Sequence, residues 1–202
     1  MIDRLFSMAT PIWRGVSVAG DLILLNLFLI ATIAPVVTAG AGFTAVYDTV
    51  RRMLDGTEGR IAQTFWRSFR ANLAGATAIW AVLLPAGAAI ALAWIFLDPP
   101  ELRVIEALIS LVYLLVFPFA WAMQARFENS PMRTLRNAVL VAVGRLPFAL
   151  GALAAHLVLL AIGAATLAWM PQVLLPLILL GYPLAAYAST PLLERAIRPL
   201  MR

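Results

Sequence analysis

The sequence has no cysteine, no lysine and a single histidine, and only 12% of its 202 residues are charged. The absence of cysteine excludes disulfides, thiolate catalysis and metal sites with cysteine ligands. The scarcity of charge accompanies 63% hydrophobic residues and a mean hydropathy of +0.92. A water-soluble domain of this length could not bury so much apolar surface, so a soluble enzyme and a disordered chain are both excluded.

Long apolar runs are what the sequence does contain, and they predict an all-α, polytopic transmembrane bundle formed as one domain over residues 1–202. A membrane span needs about 20 mostly apolar residues. Runs at residues 71–97, 104–125 and 146–169 meet this requirement. A fourth run at 173–193 is shorter and contains two prolines, which neighbouring helices can accommodate as kinks.

The first sixty residues allow two interpretations. Residues 20–34 are nearly all apolar, residues 35–42 are turn-forming, and the moderately apolar run 43–54 contains two arginines near its end. This is either one span followed by a surface helix, giving five spans, or a hairpin of two, giving six. Cytoplasmic loops collect arginine, and six spans place every arginine except Arg103 on one side. We therefore predict six spans with both termini cytoplasmic, and five as the alternative.

All 15 basic residues are arginines, against 10 acidic residues. In so apolar a chain this charge indicates membrane orientation, and we expect no nucleic-acid partner. Two segments between spans are predicted to be amphipathic helices on the cytoplasmic surface. Apolar residues recur at every fourth position from Ile61 to Leu73, and Met132, Leu135 and Val139 share a second face. Their arginines are candidate contacts for anionic lipid headgroups or a docking partner: Arg60, Arg67, Arg70, Arg133 and Arg136.

Four polar residues within the apolar runs form a candidate intramembrane site: Asp21, Asn26, Arg145 and His156. A charge at membrane depth costs about 2.5–3.5 kcal/mol on insertion scales, so such residues are candidates for function. Each also has a structural interpretation. Arg14 or Arg145 would neutralise Asp21, Arg145 would extend to the headgroups, and Asn26 and His156 would each hydrogen-bond to a neighbouring group.

Catalytic motifs are absent from the sequence. It contains no nucleophile paired with a base, no histidine and carboxylate cluster with metal-ligand spacing, and no glycine-rich phosphate loop. We therefore expect a protein that is not an enzyme and has no cofactor.

A family resemblance is carried by short segments at residues 20–26, 35–40, 45–47, 58–59, 65–72, 117–118, 125–129 and 134–138. Their order and spacing resemble the YesL-like family of bacterial membrane proteins of unknown function, over most of the chain up to about residue 147. The resemblance implies a multi-pass protein of the bacterial inner membrane. It also implies association with carbohydrate-uptake systems, especially sugar ABC transporters, and it supplies no catalytic residues.

The sequence and the resemblance together predict a non-enzymatic accessory or regulatory protein. Its arginine-rich inner helices would dock onto the permease or the ATPase of a carbohydrate transporter. One alternative is a small secondary transporter or channel that uses the intramembrane polar residues. Another is a lipid-binding scaffold, which would depend on the same arginines.

Overall fold

The chain folds into helices, as described by a computed structural model for residues 11–96 and 100–201, with side chains from Gly15 onward except that of Val173. No strand occurs in these ranges. Short 3-10 turns lie at Pro100–Leu102, Pro171–Val173 and Arg198–Met201. The α-helices are α1 (Pro11–Ile33), α2 (Ala39–Asp55), α3 (Ile61–Phe96), α4 (Arg103–Arg126), α5 (Pro131–Gly144), α6 (Leu146–Trp169) and α7 (Leu174–Ile197). The predicted all-α class is confirmed.

Five stretches of the described chain are helical, long and apolar enough to cross a membrane, and together they suggest a multi-pass membrane protein. They are Gly15–Ile33, Ile61–Phe96, Pro100–Arg126, Leu146–Trp169 and Leu174–Met201. Four of them contain the runs predicted at 71–97, 104–125, 146–169 and 173–193, apart from the undescribed residue 97 and residue 173, which belongs to the preceding 3-10 turn. α3 is about 54 Å long at 1.5 Å per residue, which exceeds the hydrocarbon thickness of about 30 Å.

α1 and α2 form a tight antiparallel hairpin, at the position where the sequence predicts one. Pro35 follows α1, and Val36 has a positive φ of 62°. The Thr38 hydroxyl donates to the carbonyl oxygen of Thr32 across the turn, at 2.6 Å. The Trp80 indole NH on α3 donates to the Val36 carbonyl at 2.8 Å, so the turn is fastened to the next helix.

α2 lies in the centre of the bundle and is the segment that distinguishes the six-span prediction from the five-span alternative. It has only 17 residues, nearly all buried from Ala39 to Val50, and it is not among the five membrane-crossing candidates. Two glycines bring it close to its neighbours. A Cβ on Gly40 would lie 2.5 Å from the Ala76 carbonyl oxygen of α3, and one on Gly42 would lie 2.4 Å from the Thr32 hydroxyl of α1.

The first and third helices begin at the same end of the bundle. Asp21, in the first half of α1, lies near Glu58, which shortly precedes α3, while the ring of Phe43 near the start of α2 lies 5.9 Å from that of Trp80 in α3. α2 therefore runs antiparallel to α3, and the hairpin extends only as far as Trp80. The last 16 residues of α3, about 24 Å of helix, pack mainly against α4. Their outward side chains are exposed, as at Ile95, which is 70% exposed.

The two predicted amphipathic helices have different outcomes. The first is not a separate helix, because Ile61 begins α3 and the helix continues without a break to Phe96. Its apolar residues Ile61 and Phe65 are buried against α1 and α2 instead of facing lipid. The second segment is a separate helix, α5, which buries small residues such as Thr134 and Ala138 and leaves Met132 70% exposed.

Candidate functional site

The five arginines that the sequence predicts as docking or lipid contacts are all exposed. We call them the basic patch: Arg60, Arg67, Arg70, Arg133 and Arg136. No carboxylate in the described parts of the chain forms an ion pair with any of them. α3 and α5 are in contact, and Phe69 of α3 and Leu135 of α5 pack against the same core cluster. The patch therefore draws on both helices.

Three other arginines at the same end have a different environment. Arg51 and Arg52 bind the two oxygens of the Asp48 carboxylate at 2.8 and 3.1 Å. Arg126 of α4 forms an ion pair with Glu194 of α7 at 3.4 Å. Arg126 joins α4 to α7, and Arg51 and Arg52 pair with an acid of their own helix, whereas no acid of the described residues pairs with the arginines of the basic patch.

Tyr47 completes this inner ionic cluster, which we define as Tyr47, Asp48, Arg51, Arg126 and Glu194. Its hydroxyl donates to the Glu194 carboxylate, so α2, α4 and α7 meet through one acid. Burial, and after it the nearby charge of Glu194, raises the pKa of Tyr47 well above its usual range. The phenol consequently stays protonated and remains a hydrogen-bond donor at ordinary pH.

The inner ionic cluster is not among the sequence predictions. The spacing of Asp48 to Arg51 and Arg52, three and four residues apart, is a signal that could have indicated the pairs within α2. Nothing in the sequence connects Glu194 with Tyr47 or Arg126, because 147 residues separate Tyr47 from its acceptor.

α7 is broken in its middle. Gly181 has φ 47° and ψ −143°, which is not helical, and Pro183 has no amide hydrogen to donate to the Leu179 carbonyl. The break releases the carbonyl of Ile178, which accepts a hydrogen bond from the Asn26 side-chain amide of α1 at 2.9 Å. A Cβ on Gly181 would lie 2.4 Å from the Asn26 side-chain oxygen, so only glycine fits.

A largely apolar groove of about 660 Å³ lies between α4, α6 and α7, and Asn26 is not among its lining residues. Its side-chain polar groups are the imidazole of His156 and the phenol of Tyr182, whose ring centroids are 5.7 Å apart. The remaining lining residues are Leu114, Phe117, Pro118, Leu153, Leu159, Leu160, Gly163, Ala164, Leu167, Leu174, Leu177, Ile178, Gly181, Leu184 and Ala185.

The four predicted intramembrane residues do not form one site. Asn26 and His156 contact consecutive residues of the α7 break, Gly181 and Tyr182. Asp21 is half-buried near Glu58, at the end where α1 and α3 begin, and no ion pair connects it with Arg145. Arg145 is exposed between α5 and α6, and the side chain of Arg14 lies outside the described residues. In the described ranges no group of three possible ligands could hold a metal ion.

The opposite end of the bundle has a small cluster of its own around Arg103. Its guanidinium lies 3.3 Å from the Glu106 carboxylate and 5.4 Å from the centre of the Trp94 ring. The Trp94 indole in turn donates to the Ser110 hydroxyl at 2.9 Å, which ties α3 to α4. Arg103 therefore contacts side chains of both α3 and α4. It is the one arginine that the six-span prediction places across the membrane from the others.

Comparison with known proteins gives one family match. The sequence model of a family described as "Protein of unknown function, DUF624" matches residues 22–94, just over a third of the chain. The match covers about half of α1, all of α2 and nearly all of α3. YesL proteins belong to that family, so for this part of the chain the match agrees with the resemblance seen in the sequence. The chain matched no curated protein and no solved structure.

Proposed function

We propose that this protein is a non-enzymatic accessory component of the bacterial inner membrane that docks through the basic patch onto a carbohydrate uptake system of the ABC type. The observation that carries the proposal is the division among the arginines. Those of the inner ionic cluster are bound by acids of the fold, while the five of the basic patch are exposed and unpaired.

Exposed guanidinium groups fit a negatively charged partner surface. They present fixed donors in a planar fork that suits carboxylates and phosphates. A cytoplasmic ATPase or the inner loops of a permease would supply carboxylates, and the headgroups of the inner leaflet would supply phosphates. The resemblance to YesL-like proteins supports the carbohydrate transporter as the partner.

Charge reversal tests this docking surface. The variant combines Arg67→Glu, Arg70→Glu, Arg133→Glu and Arg136→Glu. We expect it to recover about tenfold less sugar permease or ATPase than the wild type, which corresponds to a loss of about 1.4 kcal/mol of binding free energy. The measurement is quantitative mass spectrometry after purification in a mild detergent.

The matched control reverses two exposed arginines outside the basic patch, with Arg195→Glu and Arg198→Glu, and should leave recovery unchanged. Equal recovery from the wild type and the four-residue variant would contradict docking. If the wild type is recovered with no transporter component and a deletion strain takes up sugar normally, the proposed partner is wrong.

We further propose that both ends of the chain lie on the cytoplasmic side. α1 begins at the end of the bundle where α3 begins, and α7 ends beside Arg126 at the end of α4. The positive-inside rule assigns this arginine-rich end to the cytoplasm. This assignment needs an even number of membrane crossings, as in the six-span prediction.

Reporter fusions test this orientation. A reporter that is active only in the cytoplasm should be active at both the N-terminus and the C-terminus, and inactive when inserted after Met170 between α6 and α7. An inactive N-terminal fusion beside an active C-terminal one would indicate an odd number of crossings, as the five-span alternative requires.

A transporter or channel is the second candidate, and the broken α7 is the observation that favours it. Discontinuous helices form substrate sites in many transporters. The support is weaker than for docking, because only Asn26 and His156 of the four predicted residues lie near the break, and the groove beside it is largely apolar. A transporter or channel requires at least that liposomes containing the purified protein take up a solute.

A further inference from the structure

We propose that the groove between α4, α6 and α7 binds a neutral membrane lipid with one hydroxyl group on a long hydrocarbon body. The hydrocarbon would lie along the apolar walls, and the hydroxyl would bind between His156 and Tyr182. This proposal is independent of docking through the basic patch, which is at the cytoplasmic end.

The walls of the groove fit a hydrocarbon. Leucines dominate them, as at Leu160 and Leu167 on α6 and Leu174 on α7, and Phe117 of α4 forms the opposite wall. Pockets that are apolar apart from a few convergent polar groups are the usual form of a small-molecule site. A charged or strongly polar solute would lose its hydration here without gaining enough hydrogen bonds in return.

The depth of the two polar residues restricts the occupant further. His156 lies ten residues after the start of α6 at Leu146 and thirteen before its end at Trp169, or about 15 and 20 Å along the helix. It is therefore near the middle of a hydrocarbon core about 30 Å thick. The charged headgroup of a phospholipid would be too costly at this depth, so the polar group of the occupant must be uncharged.

Hydrogen-bonding capacity identifies that polar group. His156 Nδ1 lies 2.8 Å from the Ala152 carbonyl oxygen, which can only accept, so Nδ1 carries the hydrogen and Nε2 is left as an acceptor. The Tyr182 hydroxyl has no hydrogen-bond partner among the described residues and is available to donate. A hydroxyl group both donates and accepts, so one alcohol can satisfy both residues. An alkane could satisfy neither of them.

Photo-crosslinking tests the proposal in the reconstituted full-length protein. Three probes carry the same diazirine on a sixteen-carbon chain: a primary alcohol, a hydrocarbon without the hydroxyl, and a phosphatidylcholine. In phosphatidylcholine liposomes we expect the alcohol to label peptides of α6 and α7 several times more than either other probe does. Peptide mass spectrometry locates and quantifies the label.

Two variants separate the hydrogen bond from the groove. Tyr182→Phe removes only the hydroxyl and should reduce alcohol labelling about two- to tenfold, the usual range for one neutral hydrogen bond, while hydrocarbon labelling stays the same. The control Tyr187→Phe, on the same helix but outside the groove, should change neither.

Gly163→Leu fills the groove directly and keeps the test valid if Tyr182→Phe does not fold. Gly163 lines the groove, and a Cβ there meets nothing within 4 Å, so the leucine should fit without a clash and abolish labelling. Gly20→Leu, also unobstructed but on α1, is the control and should not affect labelling.

Several results would overturn the proposal. Equal labelling by all three probes would mean that ordinary acyl chains occupy the groove. Alcohol labelling that survives both Tyr182→Phe and Gly163→Leu would place the probe elsewhere. Crosslinks through the groove between two copies of the chain would identify it as a contact within an oligomer.

Discussion

Replacing Gly40 with alanine is expected to destabilise the folded protein by about 3 kcal/mol, at the upper end of what overpacking usually costs. The new Cβ would lie 2.5 Å from the Ala76 carbonyl oxygen and 2.8 Å from the Trp80 Cβ. The first of these is backbone and cannot rotate away, so α2 would have to move off α3. That movement would also loosen the contact of Phe43 with Trp80 and the hydrogen bond from Trp80 to the α1–α2 turn.

Thermal unfolding in detergent measures this effect. For a chain of about 200 residues, 3 kcal/mol corresponds to a fall in Tm of about 6–12 °C. The control is Gly20→Ala, at an exposed position in α1 where a Cβ meets nothing within 4 Å. It should leave Tm unchanged or raise it slightly, because alanine favours a helix over glycine. A Gly40→Ala variant with the Tm of the wild type would show that α2 does not approach α3 as closely as described.

Replacing Glu194 with leucine is expected to destabilise the protein by about 2–3 kcal/mol. The substitution leaves the Arg126 guanidinium without its carboxylate and removes the acceptor of the buried Tyr47 hydroxyl. Removing one partner of a fully buried ion pair costs about 3–5 kcal/mol. We expect less here, because the side chains of Glu194 and Arg126 are 18% and 22% exposed and water partly screens them.

A double variant separates charge from packing. Combining Glu194→Leu with Arg126→Leu removes both charges and should restore at least about 1 kcal/mol relative to Glu194→Leu alone. Asp55→Asn is the matched control, because Asp55 pairs with Arg51 through a side chain that is 59% exposed, and the loss should stay within about 0.5 kcal/mol. If Glu194→Leu were as mild as Asp55→Asn, the inner ionic cluster would not hold α2, α4 and α7 together.

The positions of helices were predictable because apolar runs and turn residues are local signals. The span predicted at 146–169 coincides with α6, and the turn predicted at 35–42 overlaps the observed one at 34–38. The exposure of the basic patch was also predicted. Its arginines lie off the apolar face of each predicted helix, and an arginine at such a position without an acidic partner remains exposed. What these arginines bind is still a proposal.

Contacts between distant segments were not predictable in this way. The packing of Ile61 and Phe65 depends on α1 and α2, so an apolar face that the sequence assigned to lipid is covered by protein. The inner ionic cluster and the hydrogen bond from Asn26 to Ile178 join residues about 150 positions apart. No periodicity in the sequence reports which helices meet.

The scarcity of charge and the 63% hydrophobic content indicated by themselves a membrane protein, because the solvent that a folded chain tolerates depends on its composition. The arginine distribution predicted which end of the bundle faces the cytoplasm, and this orientation is still a proposal. Only the tertiary structure decided which arginines are bound within the fold and which remain available, and that His156 meets Tyr182 in an apolar groove while Asp21 and Arg145 do not share it. The physical reason is that pairing and burial depend on distances between helices, and these arise only when the helices pack.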